Sequence, residues 1–135
     1  VPTGEGEISL YYTEHYRHPT ARLRRASLRL DGFVSVYAGY AAGEVLTRPL
    51  VFSGKQLMLN FATSAAGSLQ VEMQEEDGQP VPGLALTDCL PIFGDELERV
   101  VRWTKGTDLA SLAGRPVRLR FRLHDADLYS FRFQH

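Results

Sequence analysis

Residues 117 to 124 alternate without a break. Val117, Leu119, Phe121 and Leu123 take one parity, and Arg118, Arg120, Arg122 and His124 take the other. A period of two places every second side chain on one face of an extended strand, so this stretch reads as a half-buried β-strand. The same rhythm returns in Leu57, Leu59 and Phe61, in Leu69, Val71 and Met73, and in Tyr129, Phe131 and Phe133. Two shorter runs, 26–30 and 33–38, flank Asp31-Gly32, and Asp77-Gly78 follows the Leu69 run. Asp-Gly tolerates the positive φ of tight turns. Further turn punctuation at Gly39, Gly43, Ser53-Gly54, Ala66-Gly67 and Gly106 gives the regular strand spacing of a sandwich or barrel.

Helix signals are confined to one place. Thr107 can cap, Leu109 and Leu112 share a face, Gly114 can stop the turn and Pro116 blocks its continuation, which predicts a short helical turn near 108–113. The expectation is therefore an all-β, antiparallel two-sheet β-sandwich of jelly-roll or lectin-like type, with roughly eight strands. Its domain proper begins near residue 26. Before it, Ile8, Leu10 and Tyr12 form a plausible strand, and 13–25 reads as an Arg- and His-rich connector.

At 135 residues the chain can bury one core without staples, and 44% hydrophobic with 23% charged residues is the balance of a folded domain. The longest apolar run is far short of the ~20 residues of a helical membrane span. Val1 takes the place of an initiating Met and no basic-then-apolar leader follows, so the expectation is a piece of a longer or processed chain. The single cysteine, Cys89, excludes an internal disulfide framework. No basic group beside it in sequence would lower its pKa, which favours a buried, inert thiol.

The formal charge of −1 conceals segregation: residues 31–98 are strongly acidic, and 99–135 are basic. Such a split can mark a nucleic-acid face, but it also arises where basic and acidic strands neutralise one another across a sheet. The row Arg118, Arg120 and Arg122 could meet an acidic polysaccharide or phosphates. Its face carries no interleaved aromatics, which argues against nucleic acid and for a solvated face paired with acids such as Glu72.

Catalytic constellations are missing. Neither Gly-x-Ser-x-Gly, His-Glu-x-x-His nor a phosphate-binding glycine loop is present. His15 and His18 have a spacing compatible with metal but no third ligand nearby. No cofactor is expected, and the acids of 82–98 match no calcium loop. The aromatic residues suit a binding surface better, because sugar rings stack on Tyr or Trp while acids bond their hydroxyls. Tyr37 and Tyr40 flank a glycine-rich loop. Asp88, Phe93 and Asp95 lie in the long aperiodic segment 82–98, and Trp103 ends the run that follows it. These six residues are the candidate carbohydrate contacts. For Trp103 a place in the core competes, since Val101 shares its face.

Several segments carry a family resemblance: 30–36 (LDGFVSV), 60–67 (NFATSAAG), 88–92 (DCLPI) with Gly94-Asp95, Val101-Arg102-Trp103 with Asp108-Leu109, 112–121 (LAGRPVRLRF) and 125–133 (DADLYSFRF). Together they resemble the C-terminal β-sandwich of bacterial proteins whose larger part is a five-bladed β-propeller glycoside hydrolase of the invertase–levanase kind. The resemblance covers 26–133. It implies that residues 1–25 are the tail of a propeller and its linker, and that catalytic carboxylates belong to that propeller. The cysteine count does not fix the compartment; the expectation is a place outside the cell or in the periplasm. The resemblance supplies no ligand residues for the sandwich. The functional expectation is a non-catalytic carbohydrate-binding accessory module, with a polysaccharide or oligosaccharide and the parent propeller as partners. The alternative is a structural sandwich that braces the propeller or mediates homo-oligomerisation without a ligand.

Overall fold

The computed structural model describes three strands near the N-terminus, β1 (Pro2–Gly4), β2 (Glu7–Glu14) and β3 (Arg22–Arg29), and then residues 31, 32 and 34–135. The chain divides into two compact units, Val1–Val34 and Ser35–His135. In the first unit β1, β2 and β3 form an antiparallel three-stranded sheet. The strand expected over Ile8 to Tyr12 lies within β2. The connector expected over 13–25 is shorter than its lack of rhythm suggested, because Thr13 and Glu14 pair with Leu23 and Arg22. Backbone pairing does not require an apolar alternation. His15 and His18 lie outside the described residues. The boundary between units falls after Val34, later than residue 26, so 26–29 and 36–38 join different sheets.

The second unit is built on two long strands, β6 (Gln56–Glu75) and β8 (Val117–Gln134). They pair antiparallel along nearly their whole length, from Gln56 opposite Gln134 to Glu75 opposite Val117. The far edge of β8 carries β4 (Val36–Ala38) and β5 (Gly43–Leu46), and the far edge of β6 carries β7 (Asp95–Val100). The pairing is antiparallel throughout, as expected, and the helices among the described residues are two short 3-10 turns. One, Ala110–Leu112, lies inside the predicted 108–113; the other is Leu86–Asp88.

The strands of this unit form a single hydrogen-bonded sheet folded across its middle. Phe121 and Phe131 are ten positions apart on β8, about 33 Å if the strand were straight, yet their ring centroids are 5.3 Å apart. β6 turns with it, since Val101 N–H donates to the Leu57 carbonyl while the Trp103 indole, two residues on, donates to Val71 at 3.0 Å. The fold-back lies where Thr63 pairs with Ala126 and Ser68 with His124, leaving four residues of β6 against Asp125 alone. Asp125 takes φ 45°. Bulges of this kind bend strands and aim their two halves at one another. Between the halves lie Leu57, Leu59, Phe61, Leu69, Val71, Met73, Leu119, Phe121, Leu123, Ala126 and Leu128, in one cluster closed by Val101, Trp103, Leu109 and Leu112.

The segment expected to be a long irregular loop runs back along β6. Val81, Leu84 and Ile92 exchange backbone hydrogen bonds with Met73 and Leu69, and the Val71 N–H meets the Cys89 sulfur at 3.3 Å. Residues 79–92 thus cover the edge that β7 covers further along, which is why they lack a regular period while remaining anchored. The Val81, Cys89 and Ile92 side chains are buried there.

Gly67 holds the corner. A Cβ at this position would lie 2.4 Å from the Asp125 carbonyl oxygen and 2.8 Å from that of His124, both backbone atoms that cannot rotate aside. Gly67→Ala is expected to destabilise the chain by about 1–3 kcal/mol, the usual range for overpacking, whereas Ala65→Ser on the exposed side of the same corner is near neutral. Urea denaturation of both variants checks this; equal midpoints would contradict the corner geometry.

Candidate functional site

Beside the corner lies a surface cavity of about 260 Å³ lined by Ala42, Ser68, Gln70, Arg122 and His124. Cross-strand register assembles it. Ser68 lies opposite His124 and Gln70 opposite Arg122, on the face away from Leu69 and Leu123. Ala42 enters from the loop joining β4 to β5. That loop is a tight turn, with Ala42 N–H donating to Gly39, and it is tied to the corner because Asp125 N–H donates to the same Gly39 carbonyl at 3.0 Å. The turn presents Tyr40, 86% exposed, with its ring centroid 5.4 Å from the His124 ring and the planes tilted by 55°.

Each polar group around the cavity has a distinct commitment. Gln70 directs its amide nitrogen to the Leu86 and Cys89 carbonyls at 3.3 and 3.4 Å, which leaves its amide oxygen free of that bond. Arg120, one step along the row, is held by Glu44 at 2.8 and 3.0 Å and touches Glu72 at 3.5 Å. Those contacts, the Glu44 hydrogen bond foremost, raise its already high pKa. Arg118 donates to the Glu76 carbonyl. Arg122 has no hydrogen-bond or ion-pair partner among the described residues. Beside the cavity, Tyr37 directs its hydroxyl to Asp125 at 3.4 Å, and the Asp125 charge, with a smaller contribution from Asp127, pushes the phenol above its ordinary pKa. The Ser35 hydroxyl donates to Asp127 at 2.7 Å.

Of the six residues singled out from sequence, the fold brings three towards one another and separates the rest. Tyr37, Asp127, Ala62 and Asp95 lie opposite one another in successive strands, a row spanning about 14 Å, so Tyr37 and Asp95 share a face. Tyr40 stands at the neighbouring turn. Phe93 is 64% exposed, two residues before Asp95 and across the Gly94 bend. One assignment is corrected. Trp103 is 2% exposed with its indole N–H bonded to Val71, so neither ring face is open to a sugar; sharing a face with Val101 takes it into the core. Asp88 is half-buried, and its carboxylate accepts the Ala85 N–H at 3.2 Å at the start of the 3-10 turn.

Sequence reading missed Ser68, Gln70, Arg122 and His124 as a group. Arg122 and His124 were visible as neighbours of one parity, but Ser68 and Gln70 join them only through pairing across the corner. Among the described residues no group of three or more His, Cys, Asp or Glu side chains is arranged to hold a metal ion, and no helix is long and apolar enough to cross a membrane. No protein-family profile, curated protein or solved structure matches this chain.

The Cys89 side chain is not part of the cavity lining: it is 3% exposed, and burial raises its thiol above the ordinary value. A raised thiol pKa means less thiolate at any given pH, hence slower attack on disulfide reagents. The folded chain is expected to resist Ellman's reagent at pH 8 and to release one equivalent in denaturant; one fast equivalent from the native protein would contradict the burial.

Proposed function

We propose that the second unit is a non-catalytic carbohydrate-binding module that uses the Tyr40 cavity. The observation that carries the reading is the combination of an exposed aromatic ring with a small cavity lined by a hydroxyl, an amide, an imidazole and a guanidinium. A sugar ring offers an apolar face for Tyr40 and hydroxyls that exchange hydrogen bonds with Ser68, the Gln70 oxygen, His124 and Arg122. The size suits one ring or part of one, since ligand pockets that enclose drug-sized molecules are roughly 300–1,000 Å³. Tyr37, on the adjoining row, would meet a second unit of a longer chain, and Asp95, about 14 Å across that row, one further along.

The sequence resemblance to the appendage of a bacterial propeller glycoside hydrolase gives such a site a use. A module tethered to a catalytic domain raises the effective substrate concentration, so even weak binding is productive. In this reading the cavity residues orient and hold, bond breaking belongs to the propeller, and this chain turns over no glycoside. The structural alternative draws on a different observation: Leu46 and Val51 are apolar side chains left 54% and 62% exposed, as residues that meet another domain or copy would be. It predicts self-association by light scattering and no retention on any glycan.

Affinity electrophoresis of the chain across neutral and acidic polysaccharides, fructans included, tests the module. Tyr40→Ala is expected to weaken the best ligand about three- to tenfold, the ~0.5–1.5 kcal/mol of a ring contact, with the melting temperature unchanged. Failure to retain any glycan, or a hit indifferent to Tyr40→Ala, defeats the proposal at this site.

A further inference from the structure

The row Arg118, Arg120 and Arg122 carries an asymmetry that identifies the class of sugar. In register, Glu44 of β5 lies directly opposite Arg122. Its carboxylate nevertheless turns along the strand to Arg120, which it grips with both oxygens at 2.8 and 3.0 Å. Arg120 also faces Glu72, its direct partner across β6, whose side chain is only 4% exposed. One arginine therefore takes both carboxylates, consistent with the demand of a nearly buried Glu72 for a counter-charge close by. Arg122 is left exposed on the cavity wall with its fork uncommitted. The group opposite it on β6 is the neutral amide of Gln70, and the next residue of the same parity is His124.

Resting on the carbohydrate reading above, we propose that the cavity takes an acidic sugar, a uronic acid whose carboxylate is held by the Arg122 guanidinium. A planar carboxylate matches the guanidinium fork with two parallel N–H···O bonds. The charge balance favours a single negative charge. One uncommitted guanidinium faces the cavity, while Glu44 and Glu72 lie on the neighbouring strands and Asp125 and Asp127 further along β8, so a doubly charged phosphate would meet about twice the repulsion of a monoanion. The ring of the uronate then lies towards Tyr40, and its remaining hydroxyls reach Ser68 and the Gln70 oxygen.

Isothermal titration of the full chain tests this with oligomers of galacturonic, glucuronic, mannuronic and guluronic acid, each beside its carboxyl-reduced neutral counterpart. A sulfated oligosaccharide completes the set. At least one uronate is expected to bind tenfold or more tighter than its reduced form. Arg122→Gln should erase that preference by lowering uronate binding to the level of the neutral counterpart, and Arg122→Lys should restore part of it. Arg102→Gln, at an exposed arginine outside the cavity lining, should change nothing, and matched melting curves confirm folding of each variant. If uronates and neutral counterparts bind alike, or if the preference survives Arg122→Gln, the carboxylate assignment falls while the carbohydrate module stands. If the sulfated oligosaccharide matches the best uronate and loses as much with Arg122→Gln, the site reads charge alone and the uronate assignment also falls. If no sugar of either kind binds, both proposals fall together.

Discussion

The architecture of the second unit depends on two backbones passing within van der Waals contact at Gly67 and Asp125. A sheet made of two strands as long as β6 and β8 would expose one whole apolar face if it stayed flat. Bending at mid-length turns that face inward on both sides, so Phe121 meets Phe131 and Phe52 stacks on Phe133 at 3.9 Å. The bend is tight because β6 contributes four residues at the corner against one from β8, and because a hydrogen atom replaces a side chain at position 67. The hydrophobic driving force is thus spent on closing one folded sheet, and segment 101–112 caps the space that remains.

The same corner generates the cavity. Where β6 swings away through Ser64, Ala65 and Ala66, Ser68 and His124 become the last outward-facing pair before the bend. The Gly39 carbonyl, accepting from both Asp125 and Ala42, fixes the Tyr40 turn against that pair. Asp125 therefore serves the structure twice. Its backbone supplies the left-handed conformation and the hydrogen bond that anchors the turn, and its carboxylate holds the Tyr37 hydroxyl. A binding surface at a bulge is physically reasonable, since a bulge is where a sheet can aim outward side chains at one another without opening its core.

Alternation made the class legible. Every run read as a strand from Leu57, Leu69 and Val117 onward is extended and has its apolar parity inside. The strands were read as separate because the sequence between Phe61 and Leu69, and between Leu123 and Tyr129, loses its rhythm there. Those losses are the corner itself. On β8 the inward parity shifts twice, at Asp125 and again near Tyr129, so Ala126, Leu128, Phe131 and Phe133 all reach the core side although no single period of two connects them to Leu123. Trp103 was ambiguous for the opposite reason: a lone indole after an apolar run looks the same whether it ends a strand at the surface or closes a core. Its N–H decides, finding a backbone carbonyl on β6 as a buried donor must.

Electrostatics show why composition alone misjudges such a face. Acidic and basic segments do neutralise one another across the sheet, through Arg120 with Glu44 and Glu72, Arg115 with Glu75 and Arg132 with Glu98. Arg118, Arg120 and Arg122 are equivalent in sequence, and nothing in their spacing separates them. Their partners do. Arg118 ends on a carbonyl, Arg120 lies between two carboxylates, and Arg122 has only a neutral amide opposite it on one side and, on the other, a glutamate already drawn along the strand. Exposed ion pairs are individually weak, worth roughly 0–1 kcal/mol, so leaving one cation unpaired costs little stability. That small cost is what makes a free guanidinium at the mouth of a cavity compatible with folding, and its fork remains ready for an anion that arrives on a ligand.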